Sequence, residues 1–254
     1  MTDSKTQYNP IAPLYTSVTT LPCSIIEAQL ITRALTPCTD LHILDLGGGS
    51  GLHARRALDL GAASVDVVDI SAEMLRAGQE IESSLNRSQT RWFEADLSKP
   101  LPASLGLREE GYDIVMANWL FDHAGSREEL KGMWQNIVTW LKPGGRFLGV
   151  RVYNIEAEYM KVGRYGARFE KVERVDEGWK YWCSCLTEQE FGFDCSSVDD
   201  SLTLRDEIPK ALGLVEFESV PPAEMDCVKE DEAFWADFVR EPNLAVVTAR
   251  KPEA

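Results

Sequence analysis

The sequence predicts an α/β fold built on a doubly wound, mostly parallel sheet, and three observations predict it. Leu41–Leu46 is a short apolar run that empties into Gly47-Gly48-Gly49-Ser50-Gly51. Strand-like and helix-like segments then alternate, with strands expected up to Asp69 and over 90–95, 112–118 and 146–153. An acid, Asp69, closes the second strand one βαβ unit after the glycine turn.

Each element has a local reason. A polar arm covers 1–20, and a helix is expected over about 22–36. Glycine at 47, 49 and 51 permits positive φ and lets a ligand lie against the backbone. Ser71 can cap the following helix and leave Asp69 free to face the crevice. Ser126-Arg127-Glu128-Glu129 reads as a capping box. Leu130, Met133, Trp134, Ile137, Val138 and Leu141 follow at helical spacing, which assigns Met133 and Trp134 to the core. Lys142-Pro143-Gly144-Gly145 stops that helix and turns the chain. Runs at 214–220 and 244–248 supply two closing strands.

Residues 153–204 break the βα rhythm and carry Tyr159, Tyr165, Phe169, Trp179, Tyr181, Trp182, Phe191 and Phe193. This insertion after strand five is too long for a bare loop. It reads as a substrate cap with short strands near 179–187 and 191–197.

The 254 residues suit one α/β domain with an elaboration. A net charge of −15 opposes binding of a polyanion, so nucleic acid and anionic membranes are not expected partners. No basic, apolar leader or bilayer-length apolar run is present, so a cytoplasmic protein is expected. Six scattered cysteines and three histidines lack metal-ligand spacing, and no metal is expected. A homodimer is compatible with the sequence if the aromatics of the insertion stay exposed.

The glycine turn is spaced G-x-G-x-G, which departs from the dinucleotide fingerprint, and no Gly-Lys-Ser/Thr follows for a P-loop. Asp45–Gly51 instead resembles the first motif of the class I S-adenosylmethionine-dependent methyltransferases. The resemblance continues in order through Val67–Ser71 with Met74, Phe93–Leu97, Tyr112–Asn118 and Leu141–Phe147. It implies a Rossmann-like sheet of seven strands with an antiparallel last strand, and S-adenosyl-L-methionine as cofactor. Residues 1–36 would cover that cofactor, and 37–254 would form the methyltransferase domain with its cap at about 153–204.

The resemblance also implies the site. Asp45 would serve the cofactor's ammonium, and Gly47, Gly49 and Gly51 its approach to the backbone. Asp69 would bind the ribose, Ile70 and Met74 would cover the adenine, Asp96 would accept from its amino group, and Leu97 would read the ring edge. Asn118 at the end of strand four and Tyr15 of the arm complete the cofactor set. Tyr8, Trp119, Arg151, Tyr153 and Trp182 are candidates for the acceptor pocket, with Arg151 suited to a carboxylate. His123 is the candidate general base, with Asp122 beside it to orient the ring. The expected activity is methyl transfer to a hydroxyl or carboxylate oxygen of a small molecule. The rivals are transfer to nitrogen of a small molecule and a silent cofactor-binding regulator of the same fold.

Overall fold

Strand parity sets the architecture in this computed structural model, which describes residues 7–253. Residues 1–6 of the expected arm lie outside the described residues. The arm continues into α1 (Ala12–Tyr15), and then α2 (Pro22–Leu35) leads to β1 (His42–Leu46). From there α3 (Leu52–Asp59), β2 (Ser64–Asp69), α4 (Ala72–Ser84), β3 (Thr90–Glu94), β4 (Tyr112–Met116), α5 (Arg127–Trp140) and β5 (Leu141–Val152) alternate along the chain. Successive strand residues face opposite layers. Ile43, Val67, Ile114 and Leu148 enter one buried cluster with α2 and α3. Leu44, Val68, Val115 and Phe147 enter a second cluster with α5.

After β5 come α6 (Glu158–Val162), β6 (Ala167–Val175), β7 (Gly178–Cys185), β8 (Phe191–Val198), α7 (Asp199–Leu202) and α8 (Glu207–Ala211). The chain closes with β9 (Val215–Ser219), α9 (Asp226–Glu230), α10 (Glu232–Arg240) and β10 (Leu244–Arg250). The main sheet runs in the order β3-β2-β1-β4-β5-β10-β9. β1 to β5 pair in parallel, and β10 runs antiparallel to both β5 and β9. This is the expected seven-stranded sheet with an antiparallel last strand.

The insertion forms its own antiparallel sheet, β6-β7-β8. The sequence reading finds the last two strands and misses β6. That strand presents Glu170, Lys171, Glu173 and Arg174, and its register slips between Glu170 and Glu173, with Lys171 at φ +52°. A bulge of this kind erases the two-residue period by which strands are recognised. Tyr159, Tyr165, Phe169, Tyr181 and Phe191 are buried within the chain, whereas Trp179, Trp182 and Phe193 are half-buried.

The α5 cap differs by one residue from its expectation. Ser126 Oγ accepts from the Glu129 N–H, but Glu129 Oε2 accepts from the Gly125 N–H at 2.7 Å. Among the described residues no helix is long and apolar enough to cross a membrane.

Candidate functional site

A cavity of about 750 Å³ opens at the carboxyl ends of β1, β2 and β4, between the glycine loop, the N-terminal arm and the inner face of the cap. Its first half is built on backbone. Gly49 adopts φ +53°, and a Cβ there would lie 2.9 Å from Met74 Cε. Gly48 is closed differently, because its Cβ would stand 2.7 Å from the Asp45 carboxyl carbon. Asp69 ties the loop to the next helix: Oδ2 accepts from the Gly49 N–H and Oδ1 from the Ser71 N–H, both at 2.8 Å. Ser71 caps α4 by accepting from the Met74 N–H, as expected. Burial raises the Asp69 carboxyl despite these bonds.

Gly47, Gly49, Asp69, Ile70, Met74, Asp96, Leu97 and Asn118 all line this half. Asp96 Oδ1 accepts from both the amide and the hydroxyl of Ser98, so this acid also shapes its own turn. Two expected residues stand back from the wall. Gly51 caps α3 at φ +76°, and its missing Cβ makes room for Trp92, 2.6 Å from where that atom would be. Asp45 is fully buried behind the loop, with neither carboxylate oxygen hydrogen-bonded. Burial pushes its carboxyl up to about 7. Both polar atoms of the Asn118 side chain and Nδ1 of His53 are likewise buried without partners. Unpaired polar atoms are costly in an interior, and their clustering marks a place built for a polar guest.

Glu27 of α2 lines the same region and carries no signal in the sequence beyond a lone acid beside an apolar helix face. Its Oε2 accepts from Trp119 Nε1 at 3.0 Å, and its Oε1 lies 3.2 Å from His53 Nε2. Trp119 holds φ +61°, a costly conformation for a bulky residue and one that turns up at functional sites.

The second half is aromatic and sulfur-rich, with Tyr8, Tyr15, Phe169, Tyr181, Phe193, Cys183, Cys185 and Cys195 on its walls. Among the described residues no cluster of three or more His, Cys, Asp or Glu is arranged to hold a metal. The arm is fastened across the opening. Gln7 exchanges two hydrogen bonds of 2.8 Å with the backbone of Asp194, and Asn9 Oδ1 accepts from Ser71 Oγ at 2.6 Å. Met133, expected in the core, is buried and also reaches the cavity wall. Trp182 lines the cavity from the face of β7 opposite to Tyr181 and Cys183, with its indole N–H on Ser184 Oγ.

His123 lies in the cavity with Nε2 2.9 Å from the Tyr8 hydroxyl. Burial pushes its imidazole down to about 4, so the ring is neutral at physiological pH. Asp122 does not orient it, which corrects the expected pairing. The Asp122 oxygens accept instead from Ser197 Oγ at 2.7 Å and from the Val152 N–H at 3.1 Å. Tyr181 extends this chain to Ser197 at 2.9 Å, joining cap to sheet. Tyr181→Phe removes one such bond and leaves Ser197 on Asp122. It is expected to cost about 1 kcal/mol in urea unfolding, with no detectable change overturning the tie.

Two further expectations are corrected by parity. Val152 lines the cavity, so Arg151 and Tyr153 on either side of it face away. Arg151 is buried against Asp206 at 2.6 Å, and Tyr153 is 41% exposed.

Residues 43–145 match the family model described as a methyltransferase domain. The chain is 36% identical over 108 residues to a ribosomal protein L11 methyltransferase of Trichlorobacter lovleyi, covering 42% of this chain and 31% of that protein. It is 31% identical over 103 residues to phosphoethanolamine N-methyltransferase 1 of Triticum aestivum, covering 41% and 20%. The chain thus spans a third or less of the length of these two relatives. Among solved structures, the CcbJ methyltransferase from Streptomyces caelestis superposes with a TM-score of 0.63 at 20% identity, over 98% of this chain and 100% of that one. An S-adenosylmethionine-dependent methyltransferase from Mesorhizobium loti gives 0.57 at 19%, over 86% and 95%.

Proposed function

We propose that this chain, whose residues 43–145 match a methyltransferase domain, is a class I S-adenosylmethionine-dependent methyltransferase that transfers the cofactor's methyl group to an oxygen of a small-molecule acceptor. The carrying observation is one continuous cavity lined both by the glycine loop and by the aromatic residues of the arm and cap. Its volume of about 750 Å³ suits two small molecules side by side better than a folded protein surface.

The residues present fit the cofactor. The unpartnered Asn118 amide on the wall suits its ammonium group, the Asp45 carboxylate behind the loop adds a negative field for that charge, and Asp69 retains lone pairs for the ribose hydroxyls. Ile70, Met74 and Leu97 offer apolar faces to the adenine, beside Asp96. S-adenosylmethionine, when bound, supplies an electrophilic methyl group on a sulfonium. The protein then has to align the acceptor, exclude water and accept a proton. Tyr8, Tyr15 and Trp119 would wall the acceptor, Trp182 stands on the other face of β7, and His123 lines the same cavity with its imidazole unprotonated.

A hydroxyl is favoured over a carboxylate, because Arg151 is committed to Asp206 and the lysines that line the cavity, Lys171 and Lys180, are exposed. The arm and helix to residue 36 act as the cofactor's cover, and residues of the 153–204 insertion as the acceptor's. Six unpaired thiols support a reducing, cytoplasmic setting.

The test is incubation with methyl-labelled cofactor and panels of phenols and alcohols, carboxylic acids, amines and extracted protein, followed by mass spectrometry. An O-methyl ether is expected. Label on nitrogen or on protein overturns the acceptor class, and cofactor binding without any transfer favours the silent regulator.

Cofactor affinity should also depend on pH. Unliganded Asp45, raised to about 7, keeps its proton below that pH, whereas the bound ammonium stabilises the carboxylate. Affinity is therefore expected to fall about tenfold from pH 8 to pH 6. Calorimetry of Asp45→Asn should show this slope flattened, and an unchanged slope would assign it elsewhere.

A further inference from the structure

We infer that Tyr8 takes the proton of the acceptor hydroxyl and passes its own proton to His123, so that the two side chains act as one base. This rests on the O-methyl transfer proposed above. The geometry separates the two roles. His123 Nε2 is already covered by the Tyr8 hydroxyl at 2.9 Å, with the rings 5.4 Å apart and nearly perpendicular. An acceptor hydroxyl therefore meets Tyr8 Oη before it can meet Nε2. With the imidazole proton on Nδ1, Tyr8 donates to Nε2 and keeps its oxygen lone pairs for the acceptor.

The pair is held from several sides. Tyr8 packs on Phe193 at 5.0 Å and Tyr15 at 5.8 Å, and its neighbours Gln7 and Asn9 fasten the arm to Asp194 and Ser71. His123 is fixed by its backbone pairing with Ser196 of β8. The groups facing Tyr8 are Tyr15 on the arm, Cys183 and Cys195 on the cap strands and Asp69 at the end of β2. Each of them, together with burial, opposes a free tyrosinate. Tyr8 thus has to gain and lose its protons in one event.

The step balances. The acceptor oxygen forms a bond to the methyl carbon as the carbon–sulfur bond breaks, and sulfur keeps that electron pair. The acceptor's proton goes to Tyr8 Oη, and the Tyr8 proton goes to His123 Nε2. One positive charge disappears from the sulfonium as one appears on the imidazolium, so the cavity's net charge does not change. Burial still holds the ring low, but the transfer adds no net charge to the cavity, and loss of the sulfonium removes a like charge that opposes protonation of the imidazole.

The experiment is nitrogen-15 NMR of the full chain, whose three histidines keep the spectra simple. His123→Gln assigns the ring. The unliganded protein is expected to show a proton on Nδ1 and a bare Nε2, with the Nε2 resonance moving in Tyr8→Phe, a change that removes only the hydroxyl. With S-adenosylhomocysteine bound, the proton affinity of His123 is expected to be at least tenfold higher than with S-adenosylmethionine bound. A neutral ring protonated on Nε2, or equal proton affinity in the two complexes, overturns the paired base. Calorimetric titration of the same sample with S-adenosylmethionine keeps the two readings apart. Failure to bind sinks the underlying activity, whereas the tautomer of the unliganded protein judges the pair alone.

Discussion

Asp206→Ala is expected to cost about 3–5 kcal/mol of folding stability, the largest single effect among the charged residues considered. Arg151 and Asp206 are 2% and 3% exposed and meet at 2.6 Å. The guanidinium cannot shed its proton to escape the low dielectric. Removing the aspartate therefore strips a permanent buried charge of its hydrogen-bonded partner, with Nε already unpartnered and Asp122 acting on it only through space. The control is the double change Arg151→Met with Asp206→Leu. It removes both charges and is expected to recover most of the loss in urea unfolding, since apolar replacement of a buried pair is often neutral or stabilising. If Asp206→Ala instead leaves the midpoint unchanged and the double change gains nothing, the pair is not the anchor it looks to be. Arg151 then becomes available again as an anion-binding group. The expected outcome keeps it out of the acceptor pocket.

Arg151 shows how far the sequence can be read. The glycine loop, Asp69, the Ser71 cap and the alternation of strands and helices are local or of short range, and each is legible because backbone sterics or a fixed period dictates it. Whether Arg151 or Val152 faces the cavity depends on the parity of a strand, and one residue of offset exchanges the two faces. Nothing near residue 150 fixes that parity; the pairing of β5 with β4 and β10 does. The contact of Tyr8 with His123 joins residues 115 apart, and the role of Glu27 depends on Trp119, 92 residues away. Contacts of this range are decided by the packing of the arm and cap, for which no periodicity exists. Asp122 departs from its expectation for a related reason: adjacency in sequence suggests a partner for His123, while the turn through Leu120–Ala124 sends Asp122 to Ser197 and Val152 and His123 to Tyr8.

Asp69→Ala is expected to weaken cofactor binding about 10- to 100-fold, equivalent to roughly 1.5–3 kcal/mol for lost hydrogen bonds to a charged group. Two effects contribute, and they are separable. The carboxylate receives the Gly49 and Ser71 N–H groups at 2.8 Å, so its loss loosens the loop whatever the ligand. It also loses the lone pairs available to ribose hydroxyls, an effect that depends on the ligand. Titrating wild type and variant with adenosine and with 2′-deoxyadenosine forms a double-difference cycle. If Asp69 receives the 2′-hydroxyl, the wild type prefers adenosine and the variant loses that preference. If both proteins keep the same preference, the weakening comes from the loop alone, and the sugar is held by another group in the cavity.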